Sequence, residues 1–402
     1  MKAIKVAYKL YDTYKNVLLS IKKTTGEVHH VEYAKITDYA EKVCTVKEKT
    51  EELIEMPRIV NFIKSGEFVV EYPEINIWKF KDAKCFHLSD FIQVDDNKIV
   101  WPKMSNFNFS KNVIIDSFMY KYDYFGAYIK KPKVVHEVNI AYSLIGVHSE
   151  VWSHAVCEYI PKLFKIRELL KTISDELVVL VPEYHKDHLK PLVYSELEQL
   201  DRVKILVVKE GEAVHAKELY YMDGTARFTD HEMYVEIGDA AQPKMVSEVW
   251  KEKIVTPWVE KYAEKKAPSL KLFLARKNGG HRMIMNNDEI EEYFKNKGYI
   301  FVEPHKMPLK DVVNLFHQAK YVVGPFSSAF TNLMFSQPGT KALIMCNYTR
   351  SFESFLHLIQ QYFGVNITWQ TGFDVDKRRP SHSSYYMNLD EVKRACDKLG
   401  IE

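Results

Sequence analysis

No stretch of this chain stays apolar for the roughly 18 to 20 residues that a membrane-spanning helix needs, and no secretory h-region stands near its start. From the sequence alone, that absence points to a cytoplasmic protein. Cysteine is scarce. Cys44, Cys85, Cys157, Cys346 and Cys396 are odd in number, scattered and without metal-ligand spacing, so they read as reduced thiols, and no metal is expected. Net charge is nearly absent too, and a balance of +2 argues against a nucleic-acid partner. No internal repeat or low-complexity tract suggests a solenoid. What is present is ordinary for a globular protein: 402 residues, 46% hydrophobic and 27% charged, enough for two domains each with its own core.

The most regular stretch runs from Leu272 to Met345. Leu272 to Ala275 reads as a strand, followed by a basic loop holding Arg276, Lys277, Gly279-Gly280, His281 and Arg282. At the carboxyl end of a strand such a loop offers an anion two guanidinium forks. Asn287 and Asp288 are expected to start a helix to about Lys297, and Tyr299 to Val302 to form the next strand, with Glu303 and Pro304 at its mouth beside the base or ribose of a ligand. An amphipathic helix over Leu309 to Gln318 then leads to the strand Tyr321 to Val323, stopped by Gly324. Beyond it Ser327, Ser328 and Thr331 open what reads as a helix whose free N-H groups suit a phosphate, before the strand Ala342 to Met345.

The order L-F-L-A-R-K, R-M-I-M-N-N-D-E, G-Y-I-F-V-E-P, A-K-Y-V-V-G-P, T-N-L-M-F and P-G-T-K-A-L-I resembles the donor-binding half of glycosyltransferase family 61. Upstream, S-H-A-V-C-E-Y-I-P-K-L-F-K-I is similar to the family's amino-terminal motif, and His154 and Glu158 match it. Asn286 and Asn332 also fall at family positions, as holders of loop geometry or of the donor. Where the family usually carries histidine and glycine after the glycine-proline pair, this chain has Phe326 and Ser327.

The resemblance implies an α/β protein of the GT-B plan, two Rossmann-like domains facing across a cleft, here with a β-rich segment near the amino terminus. The expected divisions are a helical segment over 1–56, an acceptor-side domain over 57–263 and a nucleotide-sugar domain over 264–402. It further implies an inverting, metal-independent transferase of bacterial surface polysaccharide. The donor would be a nucleotide-sugar, taken as a UDP-sugar, and the acceptor an oligosaccharide or lipid-linked glycan; no separate cofactor is expected. Arg276, Lys277, Arg282, Ser327, Ser328 and Thr331 would hold the diphosphate, and His154, or failing it Glu158, would deprotonate the acceptor. A helix amino terminus disfavours imidazolium, which suits His154 to that task. Pro161 within the same helix suggests a kink. The alternatives are a lapsed nucleotide- or glycan-binding subunit, marked by Phe326 and Ser327, and a nucleotide-sugar epimerase of the same plan.

Around these parts, lysines and apolar residues alternate at helical spacing over residues 1–23, as on an ordinary surface helix or on one lying on an anionic membrane at the inner face of the cell. Short alternating runs follow, including Phe68 to Tyr72, Ile75 to Phe80, Cys85 to Phe91 and Val113 to Ile115, and read as strands and hairpins.

Overall fold

The computed structural model describes residues 16–55, 58–59, 67–101, 117–122, 125–184, 189–225, 241–276, 282–347, 356–375 and 383–402. Lys277, the Gly279-Gly280 pair, residues 1–15 of the basic segment and the expected strand Val113 to Ile115 lie outside them.

Two large sheets carry the described residues. In the first, β1 (Val134–Ser143), β2 (Leu177–Pro182), β3 (Val203–Val208) and β4 (Glu212–Met222) lie in the order β3-β2-β1-β4 with parallel pairing throughout. A strand covered on both faces reads as a continuous apolar run, and β2, L-V-V-L-V-P, is buried along its whole length. The remainder begins where the twelve-residue strand Ile75–Phe86 pairs antiparallel with β4, and passes through Ile92–Asp95, Lys98–Val100 and Val28–Ala34 to the hairpin Met119–Tyr122 and Gly126–Lys130; it is antiparallel except where Val28–Ala34 runs parallel to Lys98–Val100. Ile75 to Phe80 and Cys85 to Phe91, expected as separate strands, thus share one long strand over their first part.

The second sheet holds β5 (Leu270–Leu274), β6 (Ile300–Val302), β7 (Ala319–Pro325), β8 (Lys341–Asn347) and β9 (Asn366–Asp374), parallel, in the order β6-β5-β7-β8-β9, with the short antiparallel β10 (Tyr385–Tyr386) on β9. The chain leaves β5 toward one edge and then builds from β7 toward the other. The order therefore reverses between β5 and β7, which makes their carboxyl ends the switch point at which open parallel sheets bind ligands.

The segment 1–56 departs from its helical expectation. Residues 16–24 are helical, but Gly26, at φ +72°, turns the chain into the strands Val28–Ala34, Ala40–Lys47 and Thr50–Glu55. Val28, Val31, Tyr33, Val43, Thr45, Val46 and Ile54 supply the β-branched and aromatic side chains that favour strands once the helical spacing ends at Lys23. Nor does residue 57 open a new unit: Thr50–Glu55 pairs with Glu67–Tyr72, and Arg58–Ile59 between them joins the edge of β9. Glu52 accepts the backbone N-H of Lys244, and the Gln361 side chain donates to the Leu53 carbonyl, so this arm binds both halves.

The cores differ from two independent ones as well. One apolar cluster runs unbroken from Tyr142, Trp152 and Val179 on the first sheet, through Trp250, to Leu272, Phe330 and Trp369 on the second. Separate clusters cover the opposite faces, around Ala141, Val178 and Leu180 in one case and Phe273, Val323 and Tyr385 in the other.

Candidate active site

The helix after β1 carries His154 and Glu158, and its shape follows from Pro161. Proline has no N-H to give, so carbonyls one turn back lose their partner. Ala155–Tyr159 widens into a π turn immediately ahead of it, where a kink was expected. Other elements satisfy the released carbonyls: Trp250 Nε1 donates to Val156 O at 2.7 Å and Thr225 Oγ1 to Cys157 O at 2.8 Å. The same device recurs where Trp250–Val255 forms a π turn ahead of Pro257. The first turn of the His154 helix is thereby fixed from two sides.

His154 is half-buried, and its Nδ1 lies 2.7 Å from Glu158 Oε1. Glu158 is 2% exposed, too deep to meet an acceptor itself. The ring of His148, a residue held at φ +62°, stands 4.9 Å from that of His154. The loop that brings His148 there needs Gly146, because a Cβ at that position would collide with the Tyr159 hydroxyl and the Asp90 carboxylate. Tyr159 in turn donates to Val147 O at 2.9 Å.

Across the seam, Trp152–His154 packs directly against the 3-10 helix Ser328–Phe335. That helix follows the glycine turn at the end of β7. Gly324, at φ +153°, lies where a Cβ would sit 2.7 Å from Leu274 O, so the close approach of β5 and β7 requires glycine. Arg276 follows β5, and its Nη1 donates to Phe326 O at 2.7 Å. Arg282, at φ +57°, places its guanidinium 5.8 Å from the centre of the Phe326 ring, which packs on Trp369 at 5.2 Å. Phe326 thus holds one arginine by its carbonyl and the other by its ring.

The electrostatics of this pair are unfavourable as they stand. Burial, and after it the neighbouring Arg282 charge, push the Arg276 guanidinium down to about 10. Burial lowers Arg282 as well. Among the described residues no carboxylate stabilises either charge, and Arg282 Nε is buried without a hydrogen-bond partner. Two half-buried cations thus stand close together where the strand order reverses between β5 and β7, without a counter-charge among the described residues, an arrangement that an anion would stabilise.

The other expected site residues divide. Ser327 and Ser328 are half-buried at the start of the 3-10 helix, beside Phe326. Thr331 and Asn332 face inward: Thr331 is fully buried and Asn332 donates to Ala329 O at 2.9 Å. The expected α-helix here is a tighter 3-10 turn, whose three-residue repeat sends Thr331 toward the core. Asn286 holds loop geometry, since its amide donates to Met387 O and Glu289 and accepts from Met387 N. Glu303 lies one strand outboard of Arg276 and pairs with Lys306 at 2.8 Å, while Pro304 is buried at the start of the 3-10 turn Pro304–Lys306. Sequence reasoning passed over Lys162, which is 2% exposed and stands 4.6 Å from the Tyr221 ring. The available signal was its place four residues beyond Glu158, continuing the row from His154.

Among the described residues no cluster of histidine, cysteine or acidic side chains has the arrangement of a metal site, and no helix is long and apolar enough to cross a membrane. Comparison with family models matches residues 152–343 to the family described as Glycosyltransferase 61. That span begins at the turn carrying His154 and ends within β8, so it contains both faces of the seam. Against curated proteins the chain has no match.

Proposed function

We propose, from the premise that residues 152–343 belong to glycosyltransferase family 61, that this glycosyltransferase binds its nucleotide-sugar donor at the switch point of the second sheet and inverts the anomeric centre. The observation that carries the reading is the half-buried arginine couple Arg276 and Arg282, without a carboxylate partner among the described residues, at the point where the strand order reverses. A diphosphate supplies the charge this couple lacks, and Ser327 and Ser328 add hydroxyl donors beside it. As the bond from the anomeric carbon to the β-phosphate oxygen breaks, its electron pair goes to that oxygen, and the two guanidinium groups stabilise the growing charge. Fixed cations there do the work a divalent metal does elsewhere, so we read the reaction as metal-independent.

The glycan acceptor reacts from the opposite side of the seam. His154 Nε2 takes the proton of the attacking hydroxyl while Nδ1 stays bonded to Glu158, and the acceptor oxygen forms the new bond to the anomeric carbon. The parallel block β3-β2-β1-β4 at one end of the first sheet and the parallel strands of the second, linked by the helical turns that meet at this seam, support a GT-B plan. The shared core calls for a smaller opening motion than two loosely joined domains would allow. A UDP-sugar donor, a bacterial surface polysaccharide or lipid-linked acceptor, and a cytoplasmic site of action with peripheral membrane contact through residues 1–23 complete the reading. The test is release of UDP from a panel of UDP-sugars in the presence of glycan acceptors. Turnover lost in His154→Ala with UDP affinity unchanged is the expected result; retained turnover moves the base elsewhere.

A further inference from the structure

His154, Glu158 and Lys162 follow one another at four-residue intervals along one helix, and exposure falls sharply along the row: His154 is half-buried, whereas Glu158 and Lys162 are each 2% exposed. A buried ammonium persists only where negative charge or aromatic faces stabilise it. Lys162 has both kinds of company. Its Nζ lies 4.6 Å from the centre of the Tyr221 ring and 5.2 Å from that of Tyr159. Its charge also acts on Asp223, which accepts the backbone N-H of Asn76 and the indole N-H of Trp78, each at 2.9 Å.

The hydrogen bond between His154 and Glu158 can run in two directions. If Glu158 is a carboxylate, it accepts from Nδ1-H and leaves Nε2 as the basic nitrogen. If Glu158 is a carboxylic acid, it donates to Nδ1, the ring proton sits on Nε2, and the imidazole has no basic nitrogen toward the seam. Burial alone drives a glutamate toward the acid form. We propose that Lys162 is a positioning residue that keeps Glu158 ionised and so sets the direction of this hydrogen bond. The assignment rests on reading His154 as the base, and it adds the control of that base by a buried cation two turns away.

The other charged and titratable groups packed around the row do not replace Lys162. Asp90 lies 3.3 Å from the Tyr159 hydroxyl and, like Asp223, is acidic, so both disfavour a second carboxylate rather than stabilise it. Burial, ahead of the neighbouring acids, holds the Tyr159 phenol well above its ordinary value, so it remains neutral. His148 stands beside the ring of His154 on the side of the loop.

The test reads the tautomer directly and needs no substrate. In protein labelled with 15N-histidine, ring nitrogen shifts distinguish Nδ1-H from Nε2-H, and His154→Asn identifies the His154 signal among the 15 histidines. The wild type at pH 8 is expected to show Nδ1-H, Lys162→Met to show Nε2-H, and Lys162→Arg to keep Nδ1-H. With a donor and acceptor, Lys162→Met should lose about 100-fold in kcat with UDP affinity unchanged. A Lys162→Met protein that keeps Nδ1-H, or a wild type that already shows Nε2-H, overturns the proposal. If Lys162→Met does not fold, Lys162→Gln decides by the same readout, because it also removes the cation but keeps a polar side chain: Nε2-H is expected, and retained Nδ1-H is contrary evidence. Turnover retained in His154→Ala would instead remove the base assignment while leaving these tautomer results intact.

Discussion

Arg282→Met separates a ligand-binding arginine from a structural one, because the two roles predict opposite effects on the free protein. Arg276 at about 10 is held below its ordinary range by burial first and by the Arg282 charge second, and maintaining that charge costs the folded state on the order of 3 kcal/mol. For a base whose folded pKa is depressed, the cost is present in full at every pH well below about 10, hence at neutrality, and is relieved as pH rises through that value. Removing Arg282 withdraws part of this cost and also an Nε that has no partner among the described residues; the loss is one cation-π contact with Phe326, about 0.5–1 kcal/mol. The free variant should therefore unfold at the same temperature as the wild type or above it. UDP binding should weaken by about 1.5–3 kcal/mol, roughly 10- to 150-fold, the value of a charge-assisted hydrogen bond. Calorimetric titration with UDP, paired with a melting curve of the unliganded protein, reads both quantities. A variant that melts lower and binds UDP as before would refute the reasoning, since Arg282 would then be a structural residue.

Other consequences follow from the same packing. Trp250→Phe leaves Val156 O without its donor at the π turn and should cost about 1–3 kcal/mol in urea unfolding, with a loss of turnover through the displaced His154 turn. Gly324→Ala forces a side chain against Leu274 O at φ +153° and should destabilise by at least about 1–3 kcal/mol, with UDP binding lost as the switch point shifts. His357, buried between the backbone N-H of Gln242 and the Gln361 side chain, is pushed by that burial down to about 4. A histidine kept neutral in the fold contributes its full stability above its unfolded pKa near 6.5 and loses about 3 kcal/mol as pH falls from there through about 4, so acid unfolding of His357→Gln should be flatter over that window.

Much of the second sheet is legible because its signals are local. Gly298 follows the end of its helix as expected, whereas the strand expected to stop at Gly324 runs through it to Pro325; the apolar runs around Leu272, Val322 and Leu343 fall on the observed strands to within a few residues. What the sequence withholds is non-local. Nothing in the spacing of β5, β6 and β7 says that the order reverses between β5 and β7, although that reversal is what puts Arg276 beside Phe326. Nor does spacing say that Thr50–Glu55 pairs with Glu67–Tyr72, or that Arg58–Ile59 between them joins the edge of the second sheet, because β pairing at long range is decided by packing rather than by propensity. Thr331 misleads for a different reason. A hydroxyl after a glycine turn reads as a cap, whereas the tight 3-10 repeat rotates it into the core. His154 and Glu158 were visible as an i, i+4 pair, yet which of them meets solvent follows only from the burial of Glu158 against the seam.

The most direct test of the central claim, that Arg276 and Arg282 bind a nucleotide diphosphate without a metal, is a thermal-shift panel of UDP, GDP, CMP and dTDP with and without EDTA. It is run on the wild type and on Arg276→Ala/Arg282→Met. The account predicts that a nucleoside diphosphate raises the melting temperature of the wild type, that the rise survives EDTA, and that the double variant shows none. A shift that disappears in EDTA, or one of equal size in the double variant, would contradict it.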